Sequence, residues 1–113
     1  MSQGASTRGD LQRTFKAGEL EYCSGRRKAS LHLAARYAAK MAILKALGIE
    51  QARGQEEIPL TDIEIRRSQS GFPYPVLQGA AASRTRHLHI TRWHLSLTHT
   101  DQWTAAFVIA EEL

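Results

Sequence analysis

The sequence predicts an α+β fold in which one long central helix packs on a small, mostly antiparallel sheet. Three observations support this class. The length of 113 residues suits one compact domain. Residues 30–47 form an uninterrupted helix-forming run, and several later stretches alternate apolar with polar residues as strands do. We expect a disordered N-terminus at residues 1–9 and a single domain over residues 10–113.

The first third of the chain predicts helices. Residues 10–23 are expected to form a short helix, a break at Gly18 and a further helical turn. The central helix begins at Ser30, a good N-cap residue, and runs to Leu47. Gly48 follows as its C-terminal stop.

The second half predicts strands around one short helix. A strand is expected over residues 58–68. The alternation of apolar and polar residues in this stretch slips by one position, which we call a small phase error. Residues 69–79 predict a turn and a short extended edge segment, because two prolines exclude a central strand. A helix is expected over 79–89, and residues 92–100 and 103–112 predict the two strands of a hairpin.

Composition narrows the class of protein without naming its function. The net charge is +4 with a pI of about 9.6, which suits an acidic partner but does not choose one. A single cysteine, Cys23, excludes an internal disulfide and favours the cytoplasm. No apolar stretch approaches the roughly 18 residues of a membrane span. No recognised nucleic-acid-binding pattern is present, so neither a membrane nor a nucleic acid is predicted as a partner.

Three cations interrupt the apolar run of the central helix. Met41 and Lys45 share one face, one turn apart, whereas Arg36 and Lys40 share another. The pattern alone predicts that their aliphatic stems are buried and their charged ends reach water. His99 stands where a strand ends in a turn, a position from which an imidazole can bind phosphate or relay a proton.

Two further groups of residues bear on binding. The five histidines do not show zinc-ligand spacing supported by cysteines. Gly71 and Pro73 predict a turn whose free backbone N–H groups cradle an anion.

Four segments together resemble one family, in order and in spacing. They read "FKAGELEYC", "LAARYAAKMAILKALG", "GFPYPVL" and "WHLSLTHTDQWTAAFVIAEE" and cover roughly residues 15–112. This arrangement resembles the holo-acyl-carrier-protein synthases, which are small 4'-phosphopantetheinyl transferases. The resemblance implies the fold of that family, coenzyme A as substrate and an acidic acyl carrier protein as partner. It also implies a homotrimer with its sites between subunits.

The resemblance implies a chemistry and a set of site residues. In the family, magnesium bridges the diphosphate of coenzyme A while a carrier-protein serine attacks the β-phosphate, and 3',5'-ADP leaves. By this resemblance Lys45 and His99 are the candidate catalytic residues. The candidate coenzyme-binding residues are Lys45, Gly71, Pro73, Ser96 and His99.

The sequence differs from the family at the positions that bind magnesium. The family helix carries a magnesium-binding glutamate where this chain has Met41, and a thioether is too soft to replace a carboxylate. The family's first strand, which ends in a second metal-binding aspartate, is not recognised; either the chain is truncated or the strand is lost. Phe72 occupies a position that is commonly basic. No metal ligand is therefore predicted in this chain.

These observations leave several functions open. The first is a family protein that acts on or binds an acyl carrier protein and coenzyme A without ordinary magnesium-dependent transfer. An active transferase would need substitute ligands such as Glu19, Glu21 or Asp101, or a metal held mainly by diphosphate and water. The alternatives are a non-catalytic carrier-protein-binding module and a repurposed enzyme on the same pocket. Fatty-acid and polyketide synthesis both remain possible pathways.

Overall fold

A computed structural model describes residues 11–25, 29–49 and 57–112. The expected disordered segment 1–9 lies outside these residues. The helices are α1 (Ala17–Ser24), α2 (Ala29–Ala46) and α3 (Gly79–His87). The strands are β1 (Ile63–Arg67), β2 (Pro73–Leu77), β3 (Ile90–His99) and β4 (Thr104–Glu112). The predicted α+β class is confirmed, and no strand precedes α1 within the described ranges.

The break in the first helical region falls earlier than predicted. Residues 11–14 are helical, the chain bends at Phe15 and Lys16, and Gly18 lies inside α1. Phe15 turns into the interior and is only 5% exposed. The backbone N–H of Lys16 donates to Glu19 Oε1 at 2.9 Å, which caps the start of α1. Burial of Phe15 and this cap therefore determine where the helix restarts.

The central helix α2 has the predicted position and the predicted stop. Gly48 adopts φ 75°, a left-handed conformation that glycine tolerates at helix ends. The N–H of Ile49 then donates back to the carbonyl of Leu44 at 3.0 Å. One face of α2 packs into the core against β1, and the buried residues concerned are Ala39, Ile43, Leu44, Leu47, Ile63 and Ile65.

Two antiparallel hairpins form the sheet layer. Strand β1 pairs with β2 from Ile63↔Leu77 to Arg67↔Pro73, which makes the proline-containing strand β2 an edge. Strand β1 starts later than predicted because Leu60–Asp62 forms a 3-10 turn. That turn accounts for the phase error, since alternation begins only at Ile63.

The second hairpin, β3–β4, has an inner and an outer face. Trp93, Leu95 and Leu97 of β3 face the core. On the other face, Phe107 and Ile109 of β4 are 65% and 63% exposed. We call this surface the outer apolar face. None of the described helices is both long enough and apolar enough to cross a membrane.

Candidate functional site

Helix α2 carries its cations on two different faces. Lys45 lies exposed in the last turn of α2, and Met41, one turn earlier, is half-buried against the core. Arg36 and Lys40 face α1 and are only 2% and 0% exposed. The prediction that all three cations reach water is therefore wrong for these two. The reason is tertiary, because α1 covers the face of α2 on which Arg36 and Lys40 lie.

Lys40 is held by a buried polar network. Its Nζ donates to Glu19 Oε1 at 2.9 Å and to the carbonyl oxygens of Leu60, at 3.0 Å, and Ile63. Glu19 Oε2 accepts a further bond from the Ile65 N–H at 2.9 Å. Burial lowers the pKa of Lys40, and the attraction of the Glu19 carboxylate opposes that effect. This network joins α1, α2 and β1. The Glu19 carboxylate therefore has a structural role in holding these three elements together.

Arg36 is buried without full satisfaction of its donors. Its guanidinium carbon lies 4.6 Å above the ring of Tyr22 in α1. Within the described ranges, Arg36 Nε and Nη1 have no hydrogen-bond partner. Leaving buried donors unpaired is costly, so this guanidinium suits a ligand that supplies acceptors.

Two histidines extend this group towards the end of β3. His32 lies one helical turn before Arg36, and its ring centroid is 6.4 Å from that of Tyr22 in a T-shaped contact. The His32 centroid is also 6.3 Å from that of His99. We call Tyr22, His32, Arg36 and His99 the Arg36 cluster. It joins α1, α2 and the end of β3, and sequence analysis predicted only His99 as part of a site.

The two predicted catalytic residues do not meet within one chain. His99 contacts His32, which precedes Lys45 by thirteen positions on α2. At 1.5 Å per residue this separation is about 20 Å along the helix. Within one chain, only a ligand about 20 Å long could touch both Lys45 and His99.

The Gly71 turn differs from the predicted anion cradle. Gly71 adopts φ 90°, as such a turn requires, but its N–H donates to the carbonyl of Ser68 at 2.9 Å. The N–H of Phe72 donates to Ser68 Oγ at 3.1 Å, and Pro73 has no N–H. The expected free N–H groups are thus used inside the turn. Coenzyme contact by Gly71 and Pro73 stays a prediction, and the neighbouring Phe72 is 70% exposed.

Ser96 lies on the outer apolar face. It is exposed on β3 and stands opposite Phe107 of β4 in the hairpin register. His99 stands three residues further along, at the end of the strand. The structure therefore places Ser96 on the surface that Phe107 and Ile109 dominate, and its role in coenzyme binding stays a prediction.

The described residues do not fit a magnesium ion. Among them, no group of three or more histidine, cysteine, aspartate or glutamate side chains is positioned to hold a metal. Met41 supplies a half-buried thioether, and Glu19 is already bonded to Lys40 and Ile65. Hard oxygen donors in octahedral geometry, which magnesium prefers, are not assembled by this part of the chain.

Comparison with known proteins agrees with the fold and with the family that the sequence resembles. The profile of the 4'-phosphopantetheinyl transferase superfamily matches residues 3–108. The holo-[acyl-carrier-protein] synthase of Syntrophus aciditrophicus is 41% identical over 103 residues, which cover 91% of this chain and 78% of that protein. The corresponding protein of Moorella thermoacetica is 39% identical over 101 residues, covering 89% of this chain and 76% of that one.

Solved structures show the same architecture. The Neisseria meningitidis holo-[acyl-carrier-protein] synthase aligns with a TM-score of 0.81 at 27% identity, covering 97% of this chain and 86% of its own. The Helicobacter pylori synthase, solved in complex with coenzyme A, aligns with a TM-score of 0.78 at 22% identity. This second alignment covers 96% of this chain and 87% of that one. The chain belongs to the holo-acyl-carrier-protein synthase family of the 4'-phosphopantetheinyl transferase superfamily.

Proposed function

We propose that this protein binds coenzyme A and an acyl carrier protein, and that Lys45 meets the phosphates of the coenzyme. The observation that carries this proposal is the exposure of Lys45, because Arg36 and Lys40 on the same helix are buried. An exposed ammonium at the end of a rigid helix can serve an anionic ligand without breaking a structural contact. The net charge of +4 also suits an acidic carrier protein. The cytoplasm remains the predicted location.

We further propose that the protein acts as a homotrimer, with each site built from two subunits. The separation of about 20 Å along α2 between Lys45 and the position of His99 supports shared sites. The outer apolar face supports assembly, because Phe107 and Ile109, two residues apart on β4, are both mostly exposed.

Size-exclusion chromatography with light scattering tests the assembly. Wild type is expected at about three times the 12.6 kDa of one chain. Phe107→Asp should elute as a monomer, because a charge on this face opposes burial. Phe72→Asp is the matched control, since it changes an equally exposed phenylalanine on the other hairpin. A trimer that survives Phe107→Asp, or a monomeric wild type, would contradict this assembly.

We propose that transfer of 4'-phosphopantetheine by this chain does not use a magnesium ion held by its own helix. Met41 occupies the position of the family glutamate, and its thioether carries no charge for the ion. Coenzyme A binding by wild type is therefore expected to change less than about twofold when magnesium is added. Transfer to apo carrier protein should be far slower than that of an active synthase.

The test compares wild type with Met41→Glu and Met41→Gln. Calorimetry measures coenzyme A binding with and without magnesium, and intact mass spectrometry measures modification of apo carrier protein. Met41→Glu should make coenzyme binding magnesium-dependent, by roughly tenfold, because it supplies a hard anionic oxygen. Met41→Gln introduces a side chain of the same shape as glutamate but without the charge, so it should not make coenzyme binding magnesium-dependent. Wild-type transfer at the rate of an active synthase measured in parallel would refute this proposal.

A further inference from the structure

The outer apolar face borders a group of charged and titratable side chains. His94 stands opposite Ile109 in the hairpin register, so its imidazole lies on the same face as Phe107 and Ile109. Its Nε2 lies 2.7 Å from Glu111 Oε1, and Arg92 Nη1 lies 3.7 Å from the same oxygen. We call Arg92, His94 and Glu111 the His94 cluster. Two exposed apolar side chains therefore adjoin one carboxylate that is shared by a permanent cation and an imidazole.

The side chains of the His94 cluster are open to water in a single chain. Those of Arg92, His94 and Glu111 are 62%, 49% and 40% exposed. Exposed ion pairs contribute little to the stability of a folded chain, so this cluster does little to hold the hairpin together. Contact with a second copy of the chain would remove water from the cluster and raise the cost of any charge that is not compensated there.

The net charge of the His94 cluster depends on one proton. When the imidazole is neutral, the charges of Arg92 and Glu111 cancel. When the imidazole is protonated, the cluster carries one uncompensated positive charge. The hydrogen bond with His94 lowers the pKa of Glu111, so this carboxylate stays charged while the pH falls through the range in which histidine titrates. The imidazole of His94 is therefore the group that changes the charge of this surface.

We propose that the His94 cluster forms the polar edge of the contact between subunits, and that protonation of His94 loosens that contact. The inference rests on the proposed homotrimer, in which copies of the outer apolar face meet. Each protonated copy brings an uncompensated charge into a contact from which water is removed, and like charges on neighbouring copies repel. The assembled state then binds fewer protons than the separate chains, so association strengthens as pH rises.

The other ionisable groups near the hairpin lie behind it. Helices α2 and α3 and strand β2 pack against β3 and β4 on the side that faces the core. On the hairpin itself, His99 contacts His32 of α2, and Glu112 alternates away from the outer face. The exposed ionisable residues of the three packed elements are Tyr37 and Lys45 of α2, Arg86 and His87 of α3, and Tyr74 of β2. Among these residue types only histidine ordinarily changes charge between pH 5.5 and pH 8, which makes His87 the matched control for His94.

The size of the effect follows from the proton balance. An imidazole of ordinary pKa, about 6.5, is about ten times more often protonated than neutral at pH 5.5 and almost wholly neutral at pH 8. Assembly that admits only the neutral form weakens about tenfold for each chain, which compounds to about a thousandfold for a trimer. Partial exclusion of the proton gives a smaller factor. We therefore expect the trimer dissociation constant to rise by between about tenfold and about a thousandfold from pH 8 to pH 5.5.

Sedimentation velocity over a range of protein concentrations measures this constant on the full chain at both pH values. His94→Gln keeps a neutral donor for Glu111 and should assemble equally well at both. His94→Lys carries a permanent charge and should assemble weakly at both. His87→Gln removes an exposed imidazole from α3 and should keep the pH dependence of wild type. Circular dichroism at both pH values confirms that each variant is folded.

The outcomes distinguish this inference from the proposed assembly. A trimer that weakens at pH 5.5 in wild type and in His87→Gln, but not in His94→Gln, supports the inference. A wild-type trimer that is equally tight or tighter at pH 5.5 overturns the inference and leaves the homotrimer standing. A pH dependence that survives in His94→Gln has the same consequence. Wild type that is monomeric at both pH values refutes the homotrimer and the inference with it.

Discussion

Replacing Lys40 by methionine tests the buried network at the centre of the fold. The ammonium and its partner Glu19 are both 0% exposed by side chain, with 2.9 Å between Nζ and Oε1. Methionine fills similar volume without the charge. It leaves the Glu19 carboxylate buried without its cation, and it removes the donor from the carbonyls of Leu60 and Ile63.

The expected loss of stability follows from these contacts. Removing one partner of a buried ion pair costs about 3–5 kcal/mol, because the remaining charge stays out of water. Such a loss is a large share of the roughly 5–15 kcal/mol that stabilises a typical domain. For a chain of this size it corresponds to a fall in Tm of roughly 12–20 °C.

Urea unfolding of a double-mutant cycle measures the effect. The variants are Lys40→Met, Glu19→Gln and the pair combined. Each single change should cost several kcal/mol, whereas the double variant should cost less than their sum by about 2 kcal/mol. Glu19→Gln keeps an acceptor for the Ile65 N–H, so the cycle reports mainly on the charges.

An exposed ion pair provides the control. Arg66 Nε lies 3.0 Å from Glu64 Oε2, but the Arg66 side chain is 51% exposed. Arg66→Met should therefore leave the free energy of unfolding almost unchanged. The reasoning fails if Lys40→Met is as mild as this control, or if the two changes in the cycle are additive.

Two further predictions concern pH and backbone strain. Burial lowers the pKa of Lys40, so the folded chain releases this proton at lower pH than the unfolded chain. The stability of wild type relative to Lys40→Met should therefore rise as pH increases towards about 10.4. Urea unfolding of both proteins from pH 8 to pH 10 measures this difference in the free energy of unfolding. A difference that stays flat or falls with pH would contradict the prediction. Gly79 adopts φ 56°, and an added Cβ would lie 2.8 Å from Asp62 Oδ2. Gly79→Ala should cost about 1–3 kcal/mol in thermal unfolding, whereas Gly25→Ala, with open space around it, should cost less than about 1 kcal/mol; equal effects would argue against strain at Gly79.

Local pattern was sufficient for most of the secondary structure. The central helix, its stop at Gly48, helix α3 and the β3–β4 hairpin all depend on neighbours within a few positions, and all are confirmed. The errors occurred where a distant contact decided the outcome. The helix break moved from Gly18 to Phe15 and Lys16 because Phe15 is buried against the rest of the fold.

The candidate site was harder to predict because its residues are distant in sequence. Helical periodicity places His32, Arg36 and Lys40 on one face, although the sequence analysis paired only Arg36 with Lys40. It does not show that α1 covers this face or that the end of β3 reaches His32. The assignments of Lys45, Gly71, Pro73, Ser96 and His99 to coenzyme binding stay predictions.

The two cationic faces of α2 show the division between local and tertiary information. The chain alone specifies a long helix, the face shared by Met41 and Lys45, and the family motif that contains them, because all three depend on spacing along one segment. Packing of α1 and β1 against that helix determines that Lys40 pairs with Glu19, that Arg36 is buried over Tyr22, and that Lys45 remains in water. The physical reason is that the free energy of a charge depends on what surrounds it, and those surroundings come from residues far away in sequence.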